Sequence, residues 1–135
     1  MTLEQKDLVD WTAFARARAE LGAGFVRILG YFREDGVKSV AAIEAAMRAG
    51  NAAAMVIPAH TLKGEALQFG AEPLGAVAER IEMTARACVE NRDTPEEALG
   101  DIVALRPLFE ATLATLERDS NPLVARRPAF GRRAI

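Results

Sequence analysis

The chain has 135 residues, half of them apolar, and a formal net charge of −2 at pH 7. That length is enough for one domain with a core of its own. The single cysteine, Cys88, excludes an internal disulfide. One cysteine and one histidine in the whole sequence also give no spacing typical of a metal site. No apolar run approaches the roughly 18 residues of a membrane span, and the polar N-terminus lacks a signal-peptide pattern, so we expect a cytoplasmic protein without membrane contact.

The charge is distributed unevenly along the chain. Residues 119–135 hold one aspartate against four arginines, a net charge of +3, which leaves −5 for residues 1–118. An acidic body lacks the positive surface that nucleic-acid binding requires. We therefore predict a domain at 1–118, a basic tail at 119–135, and no nucleic-acid partner.

The apolar pattern is helical nearly throughout, and no stretch alternates in the manner of a β-strand. Asp10 is placed to cap a short first helix, WTAFARARAE. A long second helix is predicted over residues 20–49, loosened at Gly30 and Gly36 and stopped by the AGN segment at 49–51.

Three further helices are predicted after this stop. The third covers residues 52–69 and contains Pro58, whose missing N–H should kink it. The fourth begins with Pro73 in its first turn. The fifth begins at Thr94–Glu97, which has the pattern of a capping box, and ends near Arg118. Short connections between long amphipathic helices predict an all-α, up-down antiparallel bundle, with a four-helix core plus the short first helix.

The only histidine, His60, lies in the middle of the predicted third helix. The apolar seam of that helix steps by four, three, four and three residues through Met55, Ala59, Leu62, Ala66 and Phe69. His60, Lys63, Gly64 and Leu67 share the opposite stripe, at about 100° of rotation per residue. We therefore expect the histidine to face solvent.

The composition of this stripe argues against a histidine without function. Gly64 in mid-helix costs about 1 kcal/mol relative to alanine, which makes sense where another molecule must approach the backbone. Lys63, one turn from the imidazole, suits a phosphoryl group on the ring, and Leu67 offers an apolar contact. The alternative, commoner for a histidine on a helix surface, is a residue without function.

The segment AHTLKG at residues 59–64, followed by Gly70-Ala71 and Leu74, resembles the motif of histidine-containing phosphotransfer (HPt) domains of bacterial multistep phosphorelays. The order and lengths of the predicted helices over residues 8–118 resemble that family as well. The resemblance implies that His60 accepts a phosphoryl group from a receiver-domain aspartate and relays it to another response regulator. It also implies receiver domains and a hybrid histidine kinase as partners, with Mg²⁺ on the receiver and no cofactor on this chain.

The resemblance assigns a role to each residue of the motif. His60 matches the phosphorylation site, Lys63 a residue that contacts the phosphoryl oxygens, and Gly64 a residue that lets the receiver come close. Glu82, twenty-two residues after His60, matches a Gln or Glu that holds the ring, and its carboxylate is suited to accept a hydrogen bond from Nδ1. Two alternatives stay open, namely a solvated Glu82 and Gln68 as the neighbour of the ring.

Partner docking is expected to centre on Gly64, with Leu67, Gln68 and Glu65 around it. The family commonly has a small residue at the position of Glu65. The carboxylate here would add negative charge near the docking face and tune partner choice.

Three rival functions are weaker. A non-catalytic bundle that binds receiver domains would not need the intact His60, Lys63 and Gly64 set. A histidine-kinase dimerisation domain commonly has an acidic residue after its histidine, whereas Thr61 follows here; five helices can also close a bundle within one chain, which predicts a monomer. An enzyme with His60 as general base lacks an evident nucleophile. The sequence contains no GxxxxGK[ST] loop, so we expect no ATP-dependent kinase activity.

Overall fold

The computed structural model describes residues 8–120, and over this range the chain consists of helices joined by short turns. The helices are α1 (Trp11–Leu21), α2 (Phe25–Arg48), α3 (Ala52–Gln68), α4 (Glu72–Asn91) and α5 (Leu99–Ser120). Single turns of 3₁₀ helix, Gly22–Gly24 and Glu96–Ala98, precede α2 and α5. The predicted all-α fold is confirmed.

Helices α2 to α5 form the bundle. Each packs against the next, and α5 returns to pack against α2. Because the connections are short, successive helices run antiparallel. Helix α1 lies against α2 and α3, and it is fixed there by the Asp10 N–H, which donates to the Gly70 carbonyl at 2.7 Å. Among residues 8–120, no helix is long and apolar enough to cross a membrane.

The core is organised around a chain of aromatic contacts. Five buried phenylalanines follow one another with ring centroids 5.4 to 5.8 Å apart, in the order Phe14, Phe25, Phe69, Phe32 and Phe109. Tilted and edge-on pairs of this kind add about 0.5–1.5 kcal/mol each to the burial of the rings. Cys88 of α4 is also buried, which raises the pKa of its thiol. The bundle therefore closes its core within one chain.

Local contacts define both ends of α3. The Asn51 side chain accepts a hydrogen bond from the Ala54 N–H at 3.1 Å and caps the start of α3. After its end, Gly70 has a φ of +76°, a left-handed value that favours glycine. A Cβ at Gly70 would also lie 2.7 Å from the Asp10 carbonyl oxygen. Helix α3 is continuous through Pro58.

The predicted second helix starts later than expected, at Phe25, and is continuous through both glycines that were expected to loosen it. The first helix ends at Gly22, which has a φ of +54°. Gly36 is buried inside the continuous α2, and a Cβ there would lie 2.3 Å from Phe109 Cε1. Gly36 therefore allows α2 and α5 to pack closely, and the prediction that it loosens the helix was wrong.

The predicted start of the fifth helix was also wrong. The Thr94 hydroxyl donates to the Glu96 carboxylate instead of capping the helix, and α5 begins only at Leu99, after the 3₁₀ turn. At its other end, α5 continues two residues beyond the predicted limit at Arg118, to Ser120. The remainder of the predicted basic tail, residues 121–135, lies outside the described residues.

Candidate functional site

His60 lies on the outer face of α3, beside α4. Its side chain is 61% exposed, whereas Ala59 and Leu62 of the apolar seam are fully buried. The predicted orientation toward solvent is confirmed.

One carboxylate beneath the histidine organises the site. Glu82 comes from α4 and is only 3% exposed, and its Oε2 lies 3.0 Å from Nδ1 of His60. Lys63 of α3 forms an ion pair with the other oxygen, Oε1, at 3.0 Å. Arg86, one turn further along α4, donates to Oε2 from Nε at 2.9 Å and from Nη2 at 2.8 Å. Three basic side chains therefore meet at a single buried carboxylate, which is not the solvated glutamate of the alternative reading.

These contacts determine the protonation of the site. Burial by itself would raise the pKa of Glu82, but the interactions with Lys63, Arg86 and His60 outweigh it and lower that pKa from 4.5 to about 2. Glu82 is therefore ionised at neutral pH and can only accept hydrogen bonds. Nδ1 of a neutral His60 must then carry the proton, which leaves a lone pair on Nε2, on the opposite side of the ring from Glu82.

Lys63 shares the predicted stripe with His60 but is much less exposed than the histidine. Only 23% of its side chain is exposed, because the ammonium group reaches across to Glu82 on α4. In the unphosphorylated chain, Lys63 is therefore paired with this carboxylate. To contact a phosphoryl group on His60, Lys63 would have to share Glu82 or leave it.

Arg86 is the residue of this site that sequence reasoning missed. Its side chain is 53% exposed, and it binds the same carboxylate oxygen as His60. The signal that would have found it is its spacing, since a basic residue four positions after an acidic one lies one turn away on the same helix face. With Glu82 identified, the same spacing would have been enough to identify Arg86.

The surface of α3 beyond His60 is open. Apart from the adjoining residues of α3 itself, no atom of residues 8–120 lies within 4 Å of the position that a Cβ on Gly64 would take, so packing within this range does not require glycine there. Leu67 is about half exposed and lies over Gly75 of α4, where a Cβ would come within 2.7 Å of Leu67 Cδ2. Gln68 is exposed two turns beyond His60; it is Glu82 that holds the ring.

Glu65 lies toward α2, not on the open face. It is half-buried, and its Oε1 is fully buried without a hydrogen-bond partner among the described residues. Burial and, secondly, the neighbouring Asp35 of α2 raise the pKa of Glu65 to about 7. A part for Glu65 in docking stays a prediction.

Comparison with curated proteins and with solved structures gave no match. The family model described as the Hpt domain matches residues 27–119, which is more than half of the chain. The matched range contains all of α3 and α4 and most of α2 and α5, and with them His60, Lys63, Glu82 and Arg86. The chain therefore belongs to the Hpt domain family.

Proposed function

We propose that this protein is a histidine phosphotransfer protein. It accepts a phosphoryl group on Nε2 of His60 from the aspartyl phosphate of a receiver domain and passes it to the aspartate of another response regulator. The observation that carries the proposal is an exposed imidazole whose Nδ1 lies 3.0 Å from a buried, ionised carboxylate. Membership of the Hpt family, whose domains act in phosphorelays, supports the same reaction.

The proposed transfer forms one N–P bond and breaks one P–O bond. The lone pair of Nε2 attacks phosphorus in line with the aspartyl oxygen, which leaves with the electron pair of the P–O bond and restores the carboxylate of the receiver. The ring gains positive charge as the N–P bond forms, and Glu82, bonded to Nδ1–H, stabilises that charge. The same steps in reverse deliver the group to a second receiver. Mg²⁺ is expected on the receivers and not on this chain.

Lys63 and Arg86 are the groups that we propose for binding the phosphoryl oxygens. They approach Glu82 from two different helices, so that their charges lie beside His60 before any phosphoryl group arrives. A phosphoryl group adds up to about two negative charges and competes with Glu82 for these cations. Arg86 is the more exposed of the two and is therefore the one more accessible to a group on the outer side of the ring.

The partners that we propose are receiver domains and a hybrid histidine kinase. We infer a monomer, because α2 to α5 close the core within one chain. We also infer a cytoplasmic location, where such partners would present their receiver domains.

The proposal is tested by incubating the protein with phosphorylated receiver domains that carry ³²P. The parent chain should acquire acid-labile, base-stable label, and His60→Gln should acquire none while it melts at nearly the same temperature, because the side chain is exposed. Label on His60→Gln would place the site elsewhere. Receivers that bind the parent without labelling it would favour the alternative, a non-catalytic bundle that binds receiver domains.

A further inference from the structure

An open groove lies beside His60, between the N-terminal half of α3 and the C-terminal half of α4. It has a volume of about 490 Å³ and is lined by Ala53, Val56, Ile57, Arg86, Val89 and Glu90. Four of these six residues are apolar. Ile57 is 75% exposed, and Val89 is about half exposed. The chemistry proposed above uses neither residue, so an exposed apolar surface at this place needs another explanation.

The groove and the histidine form one continuous surface. Ile57 precedes His60 by one turn of α3, and Ala53, at the far end of the groove, lies about 10 Å from His60 along the helix. Arg86 belongs to both, since it lines the groove and also binds the carboxylate that holds the imidazole. A molecule seated in the groove would therefore also contact the phosphorylation site.

The size of a typical protein interface favours this overlap. A stable interface buries about 800 Å² on each partner, which corresponds to a disc with a radius of about 16 Å. Centred on His60, such a disc extends past Ala53 at one end of α3 and past Leu67 at the other. A receiver domain whose interface is centred on His60 would thus cover the groove as well as Gly64.

We propose that the groove seats an apolar side chain of the docking receiver domain, with Ile57 and Val89 as its main contacts. This inference rests on the proposed function and extends the docking surface from Gly64, across His60, to the opposite half of α3. Arg86 and Glu90 place one positive and one negative charge at the groove. An apolar surface flanked by charged residues is the composition typical of protein interfaces.

The test compares Ile57→Asp and Val89→Asp with Val103→Asp. Val103 is a matched control, because it is 67% exposed but lies on α5, on which no residue lines the groove. Each variant receives label from the receiver that exchanges fastest with the parent, chosen from a panel of phosphorylated receivers, and separately from phosphoramidate, a small donor that needs no docking. We expect at least tenfold slower transfer from the receiver for the two groove variants, parent-like transfer for Val103→Asp, and equal labelling by phosphoramidate in all four proteins.

Equal transfer from the receiver to Ile57→Asp, Val89→Asp and the parent would overturn the inference and leave the proposed function intact. If no receiver labels the parent, the proposed function itself fails, and this extension fails with it.

A photo-crosslinking residue at position 57 identifies the occupant directly. It should crosslink to the receiver, whereas the same residue at position 103 should not. A crosslink from position 57 to residues 121–135 of the same chain, or to a second copy, in place of the receiver would also overturn the inference.

Discussion

Nδ1 of His60 and Oε2 of Glu82 lie 3.0 Å apart, although the two residues belong to different helices and are separated by twenty-two positions in the chain. The histidine is mostly exposed and the glutamate almost fully buried. The ring is therefore fixed at Nδ1 by a buried negative charge, and its other nitrogen, Nε2, has no hydrogen-bond partner among residues 8–120. This relationship ties the packing of α3 on α4 to the proposed reactivity of Nε2.

Replacing Glu82 should affect both reactivity and stability. Glu82→Gln keeps an acceptor for Nδ1–H but loses the charge, so we expect transfer about tenfold slower. Glu82→Ala loses the acceptor as well and should be slower still. It should also lower the free energy of unfolding by about 1–2 kcal/mol, because Lys63 and Arg86 lose their shared partner. Label-transfer rates and urea denaturation measure the two effects. Parent-like transfer by Glu82→Ala would exclude an orienting role.

Removing either cation should shorten the lifetime of the phosphorylated protein. We expect Lys63→Ala and Arg86→Ala to lose label faster than the parent and to accept it more slowly, because each removes a positive charge beside His60. Arg80→Ala is the matched control, since Arg80 is also on α4 but pairs with Asp101 of α5. After the donor is removed, the half-life is measured from the decrease over time in the acid-labile label that remains on the protein. Identical half-lives in all three variants and the parent would argue against both proposed roles.

A substitution at Gly64 tests the docking of a partner separately from the chemistry at His60. Among the residues that the structure describes, nothing lies within 4 Å of a Cβ at this position, so Gly64→Gln should raise the free energy of unfolding by up to about 1 kcal/mol through helix propensity. The same side chain should obstruct a receiver that approaches His60, and transfer from the receiver should fall strongly while labelling by phosphoramidate changes much less.

Two other glycines serve as controls for Gly64. Gly100 of α5 is equally open, so Gly100→Gln should leave transfer unchanged. Gly36→Ala should instead destabilise the fold by about 2 kcal/mol, because the new Cβ would meet the buried ring of Phe109. Equal loss of Gly64→Gln labelling with both donors would indicate damaged chemistry and not obstructed docking.

Glu65 should make stability depend on pH. Its pKa is raised from 4.5 to about 7 by burial and by Asp35, so the folded chain binds this proton more tightly than the unfolded chain does. The stability that this proton provides is complete below about pH 4.5 and is lost as the pH rises through about 7. Glu65→Gln should therefore raise the melting temperature relative to the parent at pH 8, and much less at pH 5.

Asp35→Asn provides the complementary test, because it removes the charge that opposes ionisation of Glu65. It should also raise the melting temperature at pH 8. A melting-temperature difference between Glu65→Gln and the parent that is the same at pH 5 and pH 8 would contradict the assigned pKa.

Helical periodicity was sufficient to predict the orientation of His60, because a buried seam on one side of α3 leaves the opposite stripe exposed. It was not sufficient to predict how exposed Lys63 is, because that residue lies near the boundary with α4. Whether such a residue is exposed depends on a partner from another helix, here Glu82. Gly36 illustrates the same difficulty, since its packing role depends on Phe109, more than seventy residues away in sequence.

The start of α5 and the groove mark two further limits of sequence reasoning. The pattern at Thr94–Glu97 fits a capping box, but the Thr94 hydroxyl bonds to Glu96, and local pattern does not distinguish these competing hydrogen bonds. Nothing in the sequence connects Ile57 with Val89, which lie thirty-two residues apart. They form one groove only because α3 and α4 pack antiparallel in a particular register.

Asp10 bonds to Gly70, and Arg18 donates to the Asp119 carbonyl at 3.0 Å. Residues 8 and 120 therefore lie at the same end of the bundle, and the groove beside Ala53 lies toward the opposite end. A short linker from residue 120 to residue 8 would thus permit circular permutation, with new termini opened in the turn at Arg92–Asp93. Such a permutant keeps α3 and α4 joined through Gly70. It should therefore keep the hydrogen bond between His60 and Glu82 although the order of the helices in the chain has changed.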